Sequence, residues 1–283
     1  MGVLSFLITL LLFASVEVAS KPLMGSVDPL VLTLWRFIFG LLILVPVMLA
    51  RRRRGKIKPS SMLLMAAMGV MNTFLSMSFL QLAVKHTSAA RAAAIFCSNP
   101  LFVLLIASVI GWEKLGRKRL LGLILGLSGL FIVTDFYSFS LNRGTVYALL
   151  ASVTFALYIL VSRKASLSID PVTVNVVSFS FGLAALGIYL AIRGIDMNPA
   201  PLFAELPSLL YLGMGVSGIA YIAFLRTIKE MGAGNASTIF LLKPAVATVL
   251  AIIFLGEAIT VTFVSGLVVI GTGSWMIIKA GRS

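Results

Sequence analysis

At 283 residues, 60% hydrophobic and 11% charged, with a mean hydropathy of +1.09, the chain lies outside the composition range of a soluble globular domain. Its net charge of +14 would suggest nucleic acid in a soluble protein, but the basic residues sit in short loops between apolar runs. The expected partner is therefore a lipid bilayer and not nucleic acid. The one cysteine, Cys97, lies inside an apolar run and excludes an intrachain disulfide and a cysteine-rich metal site.

Taken in order, the apolar runs are Val3–Ser20, Leu30–Ala50, Met62–Val84, Ser88–Gly111, Leu120–Phe136, Thr145–Ser162, Val172–Ile192, Leu206–Ile228, Gly234–Leu255 and Thr260–Ile278. At 1.5 Å per residue, roughly 18 to 24 residues cross about 30 Å of hydrocarbon. The expected fold class is all-α integral membrane, with ten transmembrane helices. The first run has the hydropathy of a secretory signal, but it lacks a basic leader and matches the internal run Thr145–Ser162, so it is read as a helix.

The chain is internally duplicated. Shifting Ile95–Glu113 by 144 positions superposes Ile95, Phe96, Pro100, Ala107 and Glu113 on Ile239, Phe240, Pro244, Ala251 and Glu257 without a gap. Asp28-Pro29 and Phe39-Gly40-Leu41 recur as Asp170-Pro171 and Phe181-Gly182-Leu183 at a shift of 142, and Gly122 and Gly129 recur as Gly266 and Gly273 at 144. Two five-helix repeats are expected, residues 1–138 and 139–283. Five is odd, so the second repeat would enter the membrane from the opposite side, inverting one half relative to the other.

A proline at the centre of a membrane helix leaves one carbonyl without its intrahelical donor. In this chain those are the carbonyls of Phe96 and Phe240, which then need a neighbouring helix or a water-filled cavity. Two interrupted helices at corresponding positions point to a transporter site near the midplane, with Pro100 and Pro244 as its hinges. Loop charge sets the orientation. With both termini in the cytoplasm of a multi-pass cell-membrane protein, Arg51, Arg52, Arg53, Arg54, Lys118, Arg119, Arg226 and Lys279 fall inside, leaving Lys21, Lys85, Arg91, Arg143 and Arg193 near the outside.

Ten helices in two repeats, Trp35-Arg36-Phe37 early in the second helix, and a central proline followed by a closing glutamate in the fourth and ninth resemble the drug/metabolite transporter superfamily, EamA-type branch. The resemblance runs from Val3 to Lys279 and rests on the duplicated architecture more than on any short motif. It implies an exporter or facilitator of a small-molecule substrate, working without a cofactor, and leaves the substrate open.

Several residues are candidates for the site. Arg36 lies roughly 10 Å below the outer end of its helix and Lys243 roughly 14 Å into its own, counted from the helical rise. An intramembrane charge is a functional candidate by default, the alternative being a structural pairing. Lys243 precedes Pro244 as its repeat mate Asn99 precedes Pro100, so two polar side chains approach the midplane from related positions. Trp35, Asn72, Tyr158 and Tyr221 are candidates to line a cavity, although tryptophan and tyrosine also serve as interface anchors.

Glu17 is a candidate coupling group, but Lys21 follows four residues later and an ion pair between them is the expected arrangement. Glu113 and Glu257 read as joints that cap neighbouring segments. Gly122-x-x-x-Gly126 allows close helix packing, within the fold or at a homodimer seam. Gly215-Val216-Ser217-Gly218 resembles an intramembrane protease motif, but the one histidine, His86, is in a loop and no enzyme is expected.

The function that follows is secondary transport by alternating access. Arg36 and Lys243 make the expected cavity electropositive, so an anionic or zwitterionic metabolite is expected, amino acids first. The alternative is a non-transporting assembly or sensory partner in the membrane, which would need a docking surface.

Overall fold

Asp28 and Asp170 each precede a proline, and each starts a helix. The carboxylate of Asp28 accepts from the amides of Leu30 and Val31, and that of Asp170 from Val172 and Thr173, while the proline fills the first turn, where its missing N–H costs nothing. These observations come from a computed structural model, which describes residues 2–51, 58–113, 116–134, 142–165, 169–231 and 238–280.

The described chain is helical and contains no strand. Eight helices are long and apolar enough to cross a membrane. They are α1 (Gly2–Gly25), α2 (Pro29–Ala50), α3 (Pro59–His86), α4 (Ala89–Val109), α6 (Arg143–Ser162), α7 (Pro171–Ile192), α8 (Leu206–Ile228) and α10 (Val261–Ala280). Two shorter helices, α5 (Arg117–Val133) and α9 (Thr238–Leu255), occupy the fifth and ninth expected spans. The expected repeat boundary at 138/139, the ends at Phe136 and Gly234, and Arg52, Arg53 and Arg54 lie outside the described residues.

Burial is inverted relative to a soluble protein. Val261 is 87% exposed, Val109 and Ile192 79% each, while Arg36, Glu17, Lys243, Asn72 and Gln81 are buried. An apolar exterior around a polar interior requires lipid outside.

Packing follows a reciprocal scheme: α2 lies against α8 and α7 against α3, α1 against α8 and α9, α6 against α3 and α4, and α5 against α10. Glycines sit at the closest approaches. A Cβ on Gly40 would meet Ser217, and one on Gly182 would meet Gly69 and Thr73. Gly122 faces the Gly273 carbonyl and Gly129 the Gly266 carbonyl, so this glycine pattern packs α5 on α10 within the chain. Both α3 and α8 widen into π-helical turns at these contacts, over Val70–Ser76 and Tyr211–Ile219.

The two proline helices differ. α4 is broken into Ala89–Phe96 and Asn99–Val109, whereas Pro244 lies inside an uninterrupted α9. The expectation of two interrupted helices is therefore corrected to one. The difference lies in the local polar side chains. The Phe96 carbonyl accepts from Asn99 Nδ2 at 3.0 Å and from Ser152 Oγ of α6 at 3.2 Å, and Ser98 Oγ donates to the Ile95 carbonyl. These bonds stabilise a non-helical turn. Leucines occupy the equivalent flank of α9, Leu241 and Leu242, and offer no such alternative.

Candidate functional site

The deepest polar contact joins α1 to α9. Lys243 Nζ donates to Glu17 Oε1 at 2.7 Å, with side chains 4% and 0% exposed. The ammonium also lies 4.8 Å from the centre of the Phe96 ring, so the break in α4 places an aromatic face over it. Glu17 therefore does not pair with Lys21. The α-helix tightens into a 3-10 turn at Lys21–Gly25, and Lys21 Nζ donates instead to the carbonyls of Val84 and Thr87 at 2.7 and 2.6 Å. Lys21 keeps its α-helical register with Glu17, its N–H bonded to the Glu17 carbonyl, so the two side chains part because each meets a different partner across the fold.

A cavity of about 1490 Å³ reaches Lys243. Its deep wall includes Arg36, Asn99, Tyr158, Tyr221 and Lys243. Its mouth carries three ion pairs: Arg51 with Asp170 at 3.3 Å, Arg119 with Glu113 at 2.9 Å, and Arg226 with Glu230 at 2.8 Å. The Arg51 and Arg226 side chains are 43% and 51% exposed, which marks this end as open to the surface.

The opposite end is tied shut. Besides the Lys21 bonds, Glu257 accepts from the amides of Ala89 and Ala90 at 2.6 and 3.1 Å, capping α4 from the far end of α9. Glu257 is thus a joint, as its position suggested. Glu257→Ala is expected to lower stability by about 1–2 kcal/mol, the worth of a charged helix cap, seen as a lower melting midpoint in detergent.

Of the other residues singled out from the sequence, Arg36 is 2% exposed, and its Nε and Nη1 have no hydrogen-bond partner among the described residues. Its guanidinium lies 4.9 Å from the centre of the Phe37 ring. Asn72, in the α3 π turn, is buried near the Tyr221 hydroxyl without reaching hydrogen-bond geometry. Trp35 is not on the cavity wall; its Nε1 donates to the Met197 carbonyl at 3.0 Å. Ser217 Oγ donates to the Leu212 carbonyl, while His86 lies beside Tyr147, so the protease-like serine and the histidine have separate surroundings.

Tyr158 and Tyr221 line the cavity as expected from the sequence, but the phenylalanines around them were not anticipated. Phe13, Phe96, Phe155, Phe224 and Phe240 line the cavity with the two tyrosines, in edge, tilted and stacked contacts 5.0 to 6.4 Å apart. A signal existed: Phe13 and Phe155 are repeat mates at a shift of 142, as Phe96 and Phe240 are at 144. No local signal announced the Glu17–Lys243 pair, because its members are 226 positions apart.

Comparison with known proteins gives the same picture. The model of the EamA-like transporter family matches residues 1–135 and again 142–279. An "Uncharacterized transporter" of Clostridium kluyveri is 34% identical, over 96% of this chain and 91% of its own. One of Archaeoglobus fulgidus is 27% identical over 88% and 90%, and one of Bacillus subtilis 20% over 92% and 90%. A solved crystal structure superposes with a TM-score of 0.65 at 21% identity, covering 99% of this chain and 97% of that one, and shares the fold. An apolar exterior, a cavity with buried charges and a twofold family match over the chain establish that this membrane protein belongs to the EamA-like transporter family, within the drug/metabolite transporter superfamily.

Proposed function

We propose that the protein is a secondary transporter that moves a small anionic or zwitterionic metabolite by alternating access, as an exporter or facilitator. One observation carries this reading: a cavity that is open at one end, reaches buried charges at its floor, and is closed at the other end by Lys21 and Glu257. A bilayer-spanning pore would be open at both ends; a purely structural protein would fill the space.

The reciprocal packing supports two inverted five-helix repeats divided near residue 138. Exchanging the first five helices for the last five converts α2–α8 into α7–α3, converts α1–α9 into α6–α4, and leaves α5–α10 unchanged. With both termini cytoplasmic, the open mouth with Arg51, Arg119 and Arg226 faces the cytoplasm, and the conformation is inward-facing. Rocking one repeat on the other, with bending at Pro100 and Pro244, would break the Lys21 and Glu257 ties and close the mouth.

In proteoliposomes of defined orientation, counterflow of a labelled amino acid or organic acid is expected, and no flux across a broad metabolite panel would remove the proposal. On a Cys97→Ala background, a cysteine at Ser162 should react with a membrane-impermeant reagent from the cytoplasmic side only. Reaction from the external face alone would reverse the orientation.

A further inference from the structure

Among the described residues that line the cavity, the charged side chains fall into ion pairs with one exception. Arg51, Arg119, Arg226 and Lys243 are matched by Asp170, Glu113, Glu230 and Glu17. Arg36 is not. Its Nε and Nη1 are buried without a hydrogen-bond partner on a wall that the cavity reaches. A buried guanidinium in that state is costly unless an anion completes it, and its forked donors match a carboxylate better than a point-charge ammonium would. Lys243, with its charge already matched by Glu17, is the poorer anchor.

The surroundings of Arg36 specify the rest of the ligand. One surplus positive charge suits a monoanion; a dianion would bring a second negative charge that nothing on the deep wall neutralises. A cation would meet Arg36 itself. The remaining wall is mostly apolar, with Phe13, Phe96, Phe155, Phe224 and Phe240 beside aliphatic side chains, and its uncharged polar groups are those of Tyr158, Tyr221, Asn99, Asn175, Ser162 and Ser217. Such a wall gains by covering an apolar or aryl body and gains little from a small hydrated acid. The cavity exceeds the usual volume of a single-ligand pocket, about 300–1,000 Å³, because it also includes the path to the mouth.

We infer that the cavity binds an amphipathic monocarboxylate, with its carboxylate on Arg36 and its apolar or aryl body against the phenylalanine wall. This deepens the transport reading and rests on it only for the purpose the binding serves.

The test uses the full chain in lipid nanodiscs, with empty nanodiscs subtracting partition into lipid, and calorimetric titration of five probes: 3-phenylpropanoate, hexanoate, acetate, malate and phenethylamine. 3-Phenylpropanoate is expected to bind at least about tenfold more tightly than acetate or malate, and phenethylamine not to bind. Arg36→Gln, which removes an unmatched charge, should stay folded and lose about tenfold or more in affinity, with Arg36→Lys intermediate. Phe155→Leu provides an independent check, since it should reduce the preference for 3-phenylpropanoate over hexanoate without touching Arg36. The inference is overturned if phenethylamine, acetate or malate binds as well as 3-phenylpropanoate, or if Arg36→Gln binds like the parent protein. Arg36-dependent binding without flux in proteoliposomes would uphold this inference and count against transport. Flux of another solute with no 3-phenylpropanoate binding would do the reverse.

Discussion

Lys243→Met is expected to destabilise the protein by about 3–5 kcal/mol, because it strands a glutamate with no access to water. Glu17 is fully buried, and among the described residues its Oε1 accepts only from Lys243 and its Oε2 has no partner. Glu17→Gln should cost less. The lysine it leaves behind keeps the Phe96 ring as a partner and lines the cavity, where water and counter-ions reach it. The double variant Glu17→Gln/Lys243→Met removes both charges and should recover most of the loss, with a coupling of up to about 3 kcal/mol in the cycle. Melting midpoints of the four proteins in one detergent decide it; strictly additive losses would show that the pair contributes nothing. A transport defect in Lys243→Met alone is therefore no measure of substrate contact, and the double variant is the proper background for flux.

Gly69→Ala should be among the most damaging single-methyl changes in the chain. A Cβ there would fall on the Ser178 carbonyl oxygen of α7, backbone against backbone, so neither side can turn away. Overpacking of this kind costs about 1–3 kcal/mol and more where backbone must shift. Its repeat mate Gly213 meets the Phe39 side chain and the Arg36 carbonyl, so Gly213→Ala should push α2 and α8 apart by less and disturb Arg36 as it does so. An added methyl on Gly187 or Gly271 would meet nothing within 4 Å among the described residues, and alanine there should be neutral or stabilising by up to about 1 kcal/mol through helix propensity. Fluorescence-detected size exclusion after a heat step ranks all four, and equal midpoints for Gly69→Ala and Gly187→Ala would contradict the packing.

The helical spans were legible in the sequence because lipid leaves the backbone no other way to satisfy itself, so hydropathy and length alone mark the helices. The duplication was legible as well, through residues that packing holds in register: Gly122 and Gly129 with Gly266 and Gly273, and Asp28-Pro29 with Asp170-Pro171. Depth along a helix also follows from counting residues at a fixed rise, which sets Arg36 and Lys243 well inside their spans.

Which charge meets which was not legible. Glu17 and Lys21 have the spacing of a helix ion pair, and only their tertiary partners divert them, the lysine to the Val84 and Thr87 carbonyls and the glutamate to Lys243. Two prolines in matching positions likewise act differently, because Ser98, Asn99 and Ser152 offer the broken turn of α4 its hydrogen bonds and α9 has no equivalents at its flank. The residues that give the cavity its charge are those where the halves disagree: the mates of Glu17, Arg36 and Lys243 are Ile159, Ser178 and Asn99. Repetition carries the scaffold, since both halves must pack by the same contacts, and the sequence by itself determined that much. The charge left unpaired on the cavity wall was decided by tertiary structure, because it depends on which buried groups neutralise one another across helices far apart in the chain.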